Sequence, residues 1–291
     1  MRFGVAIPQT GPFVDAEVQL RMASEIEAMG YDSIWVSDHV IVPAGEGYTF
    51  EVIHEPLALL AWLAGRTTRV TLGISVLILP YRDPVFTAKF LGSADVLSGG
   101  RIILGVGAGW LEKEFEALSA SFADRGPVTD EYLRVIRNLW ETETSSFSGR
   151  WKSYQDMRMF PKQHAGRTGT IPIVVGGNLA PSIRRAAELG DGWHPINQSP
   201  EQLRASIQQY HAACQRFGRS PGQVVLRHMP AGRVAPEGRA PLTGSVEEQR
   251  ADVVAYREAG LDELMLSLAA RSADELLDVV GHFKSEVASV A

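Results

Sequence analysis

The sequence predicts an α/β fold, a single (β/α)8 barrel spanning residues 1–291 with an insertion at about 144–170, between its fourth and fifth strands. Three observations lead there. Eight short apolar runs bounded by turn residues alternate with eight longer stretches of helical period, the pattern of βα units around a parallel sheet. The runs are almost continuously apolar, as expected where helices cover one face of a sheet and a packed barrel interior lies against the other. Several helical stretches open on proline and two stop at Gly30 and Gly190, the residue types that favour a first turn and a stop. Barrels of this kind, of roughly 250 residues, fold as one domain.

Taken in order, strand Phe3–Ile7 leads into helix Asp15–Met29, and strand Ser33–Val36 into helix Pro56–Ala64. Val70–Leu77 is followed by Pro84–Leu97, and Arg101–Val106 by Thr129–Glu143. Beyond the insertion come Ile171–Val175 with Pro181–Leu189, then Gly192–His194 with Pro200–Phe217. Val224–Met229 with Val246–Glu258 and Glu263–Ser267 with Ala273–Val287 complete the set. Strict alternation favours a closed barrel, but strand order is not written in a sequence, so a doubly wound sheet stays open as the alternative. The segment from Thr144 to Thr170 is too long for a bare loop. Its aromatics Phe147, Trp151 and Tyr154 around Gly149 predict a hairpin packed over the barrel mouth, although a mobile lid or a dimer contact would read the same. Ala231 to Gly244, rich in Gly and Pro, reads as a surface loop.

Composition excludes several function classes. The formal net charge is −6 and no basic run occurs, which argues against nucleic acid as a partner. No apolar stretch is long enough to span a bilayer, and the N-terminus enters a strand-like run without signal-peptide features; the expected location is the cytoplasm. The single cysteine, Cys214, rules out an intrachain disulfide and a cysteine metal cluster. It reads as a packing residue in a helix, with an exposed reactive thiol as the other possibility.

In a parallel barrel the reacting groups stand just beyond the C-terminal ends of the strands. After the second strand comes Ser37-Asp38-His39. A carboxylate beside a histidine can fix its tautomer and raise its pKa, giving an acid or base usable near neutral pH; the plainer reading makes Asp38 a turn cap and His39 polar surface. After the fourth strand comes Gly105-Val106-Gly107-Ala108-Gly109-Trp110, where bare backbone can approach a flat ligand or a phosphate, unless it is simply a tight turn. The dinucleotide fingerprint is not met, because Trp110 stands where its last glycine belongs. After the fifth strand comes Val175-Gly176-Gly177-Asn178, followed by Pro181 to open a helix. Such a glycine turn and helix N-terminus suit an anion, though an ordinary βα turn reads the same way.

Together these residues resemble the luciferase-like flavin-dependent oxidoreductases, most closely the branch that uses the deazaflavin coenzyme F420. The resemblance covers essentially the whole chain. It rests on Phe3-Gly4-Val5, Ala28-Met29-Gly30-Tyr31-Asp32-Ser33-Ile34-Trp35 leading into Ser37-Asp38-His39, Leu72-Gly73 to Val76, Gly99-Gly100-Arg101, the Gly105–Trp110 turn, Gly176-Gly177 and Gly190-Asp191-Gly192-Trp193. It implies a deazaflavin or isoalloxazine ring in the mouth of the barrel. Ser75-Val76 would form a non-prolyl cis peptide behind the ring, Gly107 and Ala108 would line it, and the Val175-Gly176-Gly177-Asn178 turn would hold the cofactor phosphate. Asp38 and His39 would sit beside the reactive carbon, with His39 moving a proton to or from substrate.

The implied reaction is hydride transfer between F420 and a small organic substrate, whose contacts are expected from the Val40–Phe50 loop and the insertion; the resemblance also implies a homodimer. An FMNH2-dependent monooxygenase on the same barrel is the alternative. From another class, a metal-dependent hydrolase could use His39, His194 and His228, but the first strand ends Pro8-Gln9 with no His-x-His pair, and no metal is expected. The sequence departs from the sugar-phosphate dehydrogenases of the family at Gly109, where they carry a proton-donating glutamate, which argues against glucose 6-phosphate. Pro195-Ile196 also replaces a hydroxyl residue that reaches the phosphate there, leaving Asn197 as a substitute.

Overall fold

The computed structural model describes residues 1–229 and 239–290. Eight strands pair in parallel and close on themselves: β1 (Arg2–Ala6), β2 (Ser33–Val36), β3 (Thr71–Ile78), β4 (Ile102–Gly107), β7 (Ile173–Gly176), β8 (Gly192–His194), β9 (Gln223–His228) and β10 (Glu263–Leu266). Their order around the ring is their order in the chain, and β10 returns to β1 with Phe3 opposite Leu264. Closure removes the doubly wound alternative. The remaining pair, β5 (Ser145–Ser148) and β6 (Ser153–Met157), forms a separate antiparallel hairpin.

The helices between the strands are α1 (Ala16–Ala28), α2 (Pro56–Ala64), α3 (Pro84–Leu97), α4 (Glu112–Ala117), α5 (Arg125–Glu141), α6 (Ala180–Leu189), α7 (Pro200–Arg216), α8 (Val246–Glu258) and α9 (Ala273–His282). Local chemistry sets their starts. The Asp15 and Asp83 carboxylates accept from the first free N–H groups of α1 and α3, and Ser199 with Gln202 and Ser245 with Glu248 form reciprocal capping boxes on α7 and α8. Two departures from the sequence reading concern the same stretch. Helix α5 begins at Arg125 rather than Thr129, with Pro127 in its first turn where an N–H has no partner anyway. Helix α4 is too short to show a period, and the sequence reading contains no helix there.

Two apolar layers hold the barrel. Outside the ring, strand residues such as Val5, Ile34, Leu72, Leu104 and Val175 pack against the helices. Inside it, Ala6, Trp35, Ile103, Val174, Val225 and Met265 form their own cluster. Trp35 fits into this interior because Gly73 leaves room: a Cβ at Gly73 would lie 2.3 Å from the indole. Cys214 is buried, as a packing residue should be.

The insertion forms the expected hairpin, but its hydrogen bonds run to the helix layer rather than over the mouth. The Glu131 carboxylate of α5 accepts from the N–H groups of Arg150, Trp151 and Lys152 at the hairpin turn. Farther along, Asp95 of α3 accepts from the His164 N–H and pairs with Arg167 at 2.7 Å. Buried carboxylates on two helices thus define its path. The predicted loop at 231–244 falls partly outside the described residues.

Candidate active site

In the closed barrel the ends of β2, β3, β4 and β7 are consecutive, so the three predicted turns share one rim. At β2 the Gln9 side chain accepts from the Ser37 N–H and donates to the Ser37 carbonyl, clamping the strand end. Beyond it the two candidate side chains diverge. The fully buried Asp38 carboxylate takes both terminal nitrogens of Arg82, at 2.6 and 2.8 Å, and the Ile78 N–H at 2.7 Å. It ties the end of β2 to the end of β3 and makes no bond to His39.

The carboxylate that meets His39 is Glu114, on the unpredicted helix α4, at 2.8 Å from Nδ1. Glu114 also accepts from the N–H groups of Val40 and Ile41 and from the Tyr81 hydroxyl. Burial pushes its carboxyl up, but the hydrogen bonds from His39, Val40 and Ile41 outweigh burial and hold it below the ordinary glutamate range. An ionised Glu114 requires the proton on Nδ1, which leaves Nε2 as the His39 atom free to exchange a proton. Around the imidazole stand aromatics of the loop after β2 and the turn after β4. Phe50 stacks on it at 4.1 Å between centroids and Trp110 meets it edge-on at 5.8 Å.

At β3 the pairing with β4 slips by one residue between Ile74 and Leu77, and within this bulge the Ser75-Val76 peptide is cis. The half-buried Val76 side chain points between two glycines. A Cβ at Gly107 would lie 2.5 Å from one of its methyls, and a Cβ at Gly176 2.7 Å from the other. Only bare backbone fits on either side of it. Ser75 beneath is occupied: its Oγ lies 2.8 Å from His194 Nε2, and Arg227 of β9 donates to its carbonyl at 2.7 Å. His194 stacks on Trp35 at 5.4 Å, and burial holds it down to about 4, so it is neutral.

At β7 Gly177 has φ +115°, and a Cβ there would lie 2.6 Å from the Ser182 hydroxyl. Its N–H is already bonded to the His194 carbonyl. The exposed start of α6 is different: among the described residues no hydrogen bond takes the N–H groups of Asn178, Leu179 and Ala180. Unengaged donors at a helix N-terminus are of the kind that suit an anion.

A family model of luciferase-like monooxygenases matches residues 1–240. The chain belongs to that family. An uncharacterized protein of Mycobacterium tuberculosis is 32% identical over 216 residues, covering 70% of this chain and 72% of that one. The F420-dependent glucose-6-phosphate dehydrogenase of Amycolatopsis mediterranei is 32% identical over 178 residues, 59% of this chain but 50% of the enzyme. Among solved structures, the oxygenating constituent of 3,6-diketocamphane monooxygenase from Pseudomonas putida, in complex with FMN, superposes with a TM-score of 0.82 at 18% identity, over 99% of this chain and 98% of that one.

Within this luciferase-like barrel the expected positions divide by what their atoms have left to offer. Gly107, Ala108, Gly176 and Gly177 present backbone near Val76 or beside it on the rim. Val175 is fully buried against the helices and offers no side chain to the mouth. The Asn178 amide is bonded in both directions to the Ile196 backbone, so only its N–H remains. Asn197, read as a stand-in for a hydroxyl, has its carbonyl taken by the Met229 N–H. The three histidines weighed as metal ligands have separate partners: Glu114 for His39, the Val225 carbonyl and Ser75 for His194, and the Pro241 carbonyl for His228. At Gly109, φ is +84° and a Cβ would lie 2.7 Å from Phe115, so the dehydrogenases' glutamate would not fit without a shift. Glu114, Tyr81, Arg82 and Arg227 went unrecognised in the sequence. Only Arg227, a charge directly after the apolar run Val224-Val225-Leu226 of a strand, carried a visible signal.

Proposed function

We propose that this luciferase-like protein is an F420-dependent oxidoreductase, moving a hydride between the deazaflavin and a small organic substrate, with His39 giving or taking the substrate's proton. The observation that carries the reading is the His39–Glu114 pair standing on the same rim as the Val76 bed. Residues here fit a planar cofactor with a phosphate tail. Gly107 and Gly176 admit the Val76 side chain between them, so that a bulge flanked by bare backbone faces the rim, and the N–H groups of Asn178, Leu179 and Ala180 suit the phosphate. Once bound, the deazaflavin would supply the two-electron chemistry, as cofactors do.

The protein's own contribution is orientation and proton transfer. Glu114 fixes the proton on Nδ1 and stabilises the imidazolium that forms when Nε2 takes a second one, a role familiar from other carboxylate–histidine pairs. Asp38 acts through Arg82, keeping the ends of β2 and β3 in register so that His39 is presented to the mouth. Phe50 and Trp110 pack on the imidazole and Tyr48 on Phe50, an aromatic wall that suits an apolar substrate. F420 is preferred to FMN because the A. mediterranei dehydrogenase, at 32% identity, is F420-dependent.

Titrating the protein with F420 and with FMN under identical conditions tests this reading. F420 is expected to bind, and His39→Ala to keep binding while losing turnover. Binding of neither cofactor would end the proposal, and oxygen uptake dependent on reduced FMN would convert it to a monooxygenase.

A further inference from the structure

One cation at the mouth is unused by the reading above. Arg227 stands on β9 with its guanidinium half-buried, donating from Nη1 to the Ser75 carbonyl and hydroxyl at 2.7 and 3.3 Å and from Nε and Nη2 to the Ser267 hydroxyl at 3.3 and 3.0 Å. None of these partners carries a charge. Among the described residues no carboxylate pairs with Arg227, whereas Arg82, Arg167 and Arg185 each meet an aspartate. Burial pushes its pKa down to about 10, still far above neutrality, and the neighbouring His194 is neutral. A full positive charge, uncompensated among the described residues, therefore stands against Ser75, the neighbour of Val76. Burying a charge without a counter-charge is unfavourable, and such a group in a ligand site is stabilised when the ligand brings the opposite sign.

A hydride carries one proton and two electrons, so its arrival lowers the charge of a deazaflavin or flavin ring by one unit. Without a second proton from solvent, that charge rests on the conjugated N1–C2 carbonyl edge. We propose that Arg227 is the counter-charge for the reduced cofactor, favouring it over the oxidised form. The proposal rests on the cofactor reading above. It follows the general rule that a fixed cation in a water-poor site acts most strongly where charge develops. Ser75 positions the guanidinium: its hydroxyl is held by His194 and its carbonyl by Arg227 itself.

Anaerobic titration of wild type, Arg227→Gln and Arg227→Lys with oxidised and with reduced F420, together with the midpoint potential of the bound cofactor, provides the test. In Arg227→Gln the oxidised form should bind within about threefold of wild type while the reduced form loses about tenfold or more, lowering the two-electron midpoint by about 30 mV per tenfold. Arg227→Lys should keep most of the wild-type preference. Equal weakening of both forms, or no change in either, overturns the proposal. Wild type that binds neither form ends the cofactor reading itself, a result distinct from wild type binding both. A second measurement needs no variant: on wild type the pH at which bound reduced cofactor loses its N1 proton, read from absorbance, should fall below that of free cofactor. An unchanged or higher value also overturns the assignment.

Discussion

Acidification should destabilise the protein through His194, by an amount that follows from its burial. The imidazole lies inside the barrel against Trp35, with Nδ1 on the Val225 carbonyl and Nε2 on the Ser75 hydroxyl. Burial, reinforced by the charge of Arg227, lowers its pKa from 6.5 to about 4. The unfolded chain therefore binds a proton in a range where the folded one does not. Above pH 6.5 neither state is protonated and the group contributes nothing to the pH dependence. Between 6.5 and about 4 stability falls by up to about 1.4 kcal/mol per pH unit, reaching about 3 kcal/mol in all. Other acids also titrate over part of this range, so the assay must be differential. Urea unfolding of wild type and of His194→Gln, at intervals from about pH 7.5 to about 4, isolates the term. Glutamine can still accept from Ser75 but loses the Val225 bond and the stacking, a cost of about 1–3 kcal/mol at neutral pH. That gap should close or reverse by about pH 4, since only wild type carries the titrating group. Two stabilities falling in parallel would refute the argument.

Glu114→Gln puts an amide against His39 Nδ1 and should move the imidazole proton to Nε2, visible in long-range 1H–15N NMR spectra, with turnover reduced about 100-fold or more. An unchanged tautomer would show that Glu114 does not set it. The carboxyl lies below its ordinary pKa of 4.5 in the folded state, so its contribution is complete above that value and is lost as pH falls through the lower, folded pKa; the stability gap between wild type and Glu114→Gln should shrink accordingly in acid. Asp95→Ala strands Arg167 at the end of the insertion and should cost about 3–5 kcal/mol in urea unfolding. A loss below about 1 kcal/mol would mean that the pair is not what fastens the segment to α3.

Much of this architecture was readable before any coordinates. The eight strands and their helices lie within a few residues of where periodicity puts them, because burial on both faces makes each strand a continuous apolar run and the starts of α1, α2, α3, α7, α8 and α9 carry their own caps. The glycines at 107, 176 and 177 were likewise readable as places where backbone must be bare. The missed helix α4 and the early start of α5 both fall in a stretch too short or too polar to show a repeat.

The candidate site was legible in its residue types and misread in its partners. A histidine needing a carboxylate was evident from Ser37-Asp38-His39, but neighbours in sequence just beyond a strand end need not turn their side chains to the same partner. Asp38 accordingly meets Arg82, and His39 meets a glutamate from a different turn. By itself the sequence determined the fold class, the rim on which chemistry would gather and the positions that had to lack side chains, because these follow from local periodicity and steric size. Only the tertiary structure decided strand order, barrel closure, the pairing of Glu114 with His39 and the separation of Arg227 from every acid among the described residues. Those depend on which distant groups share a low-dielectric space, and no local pattern records such distances.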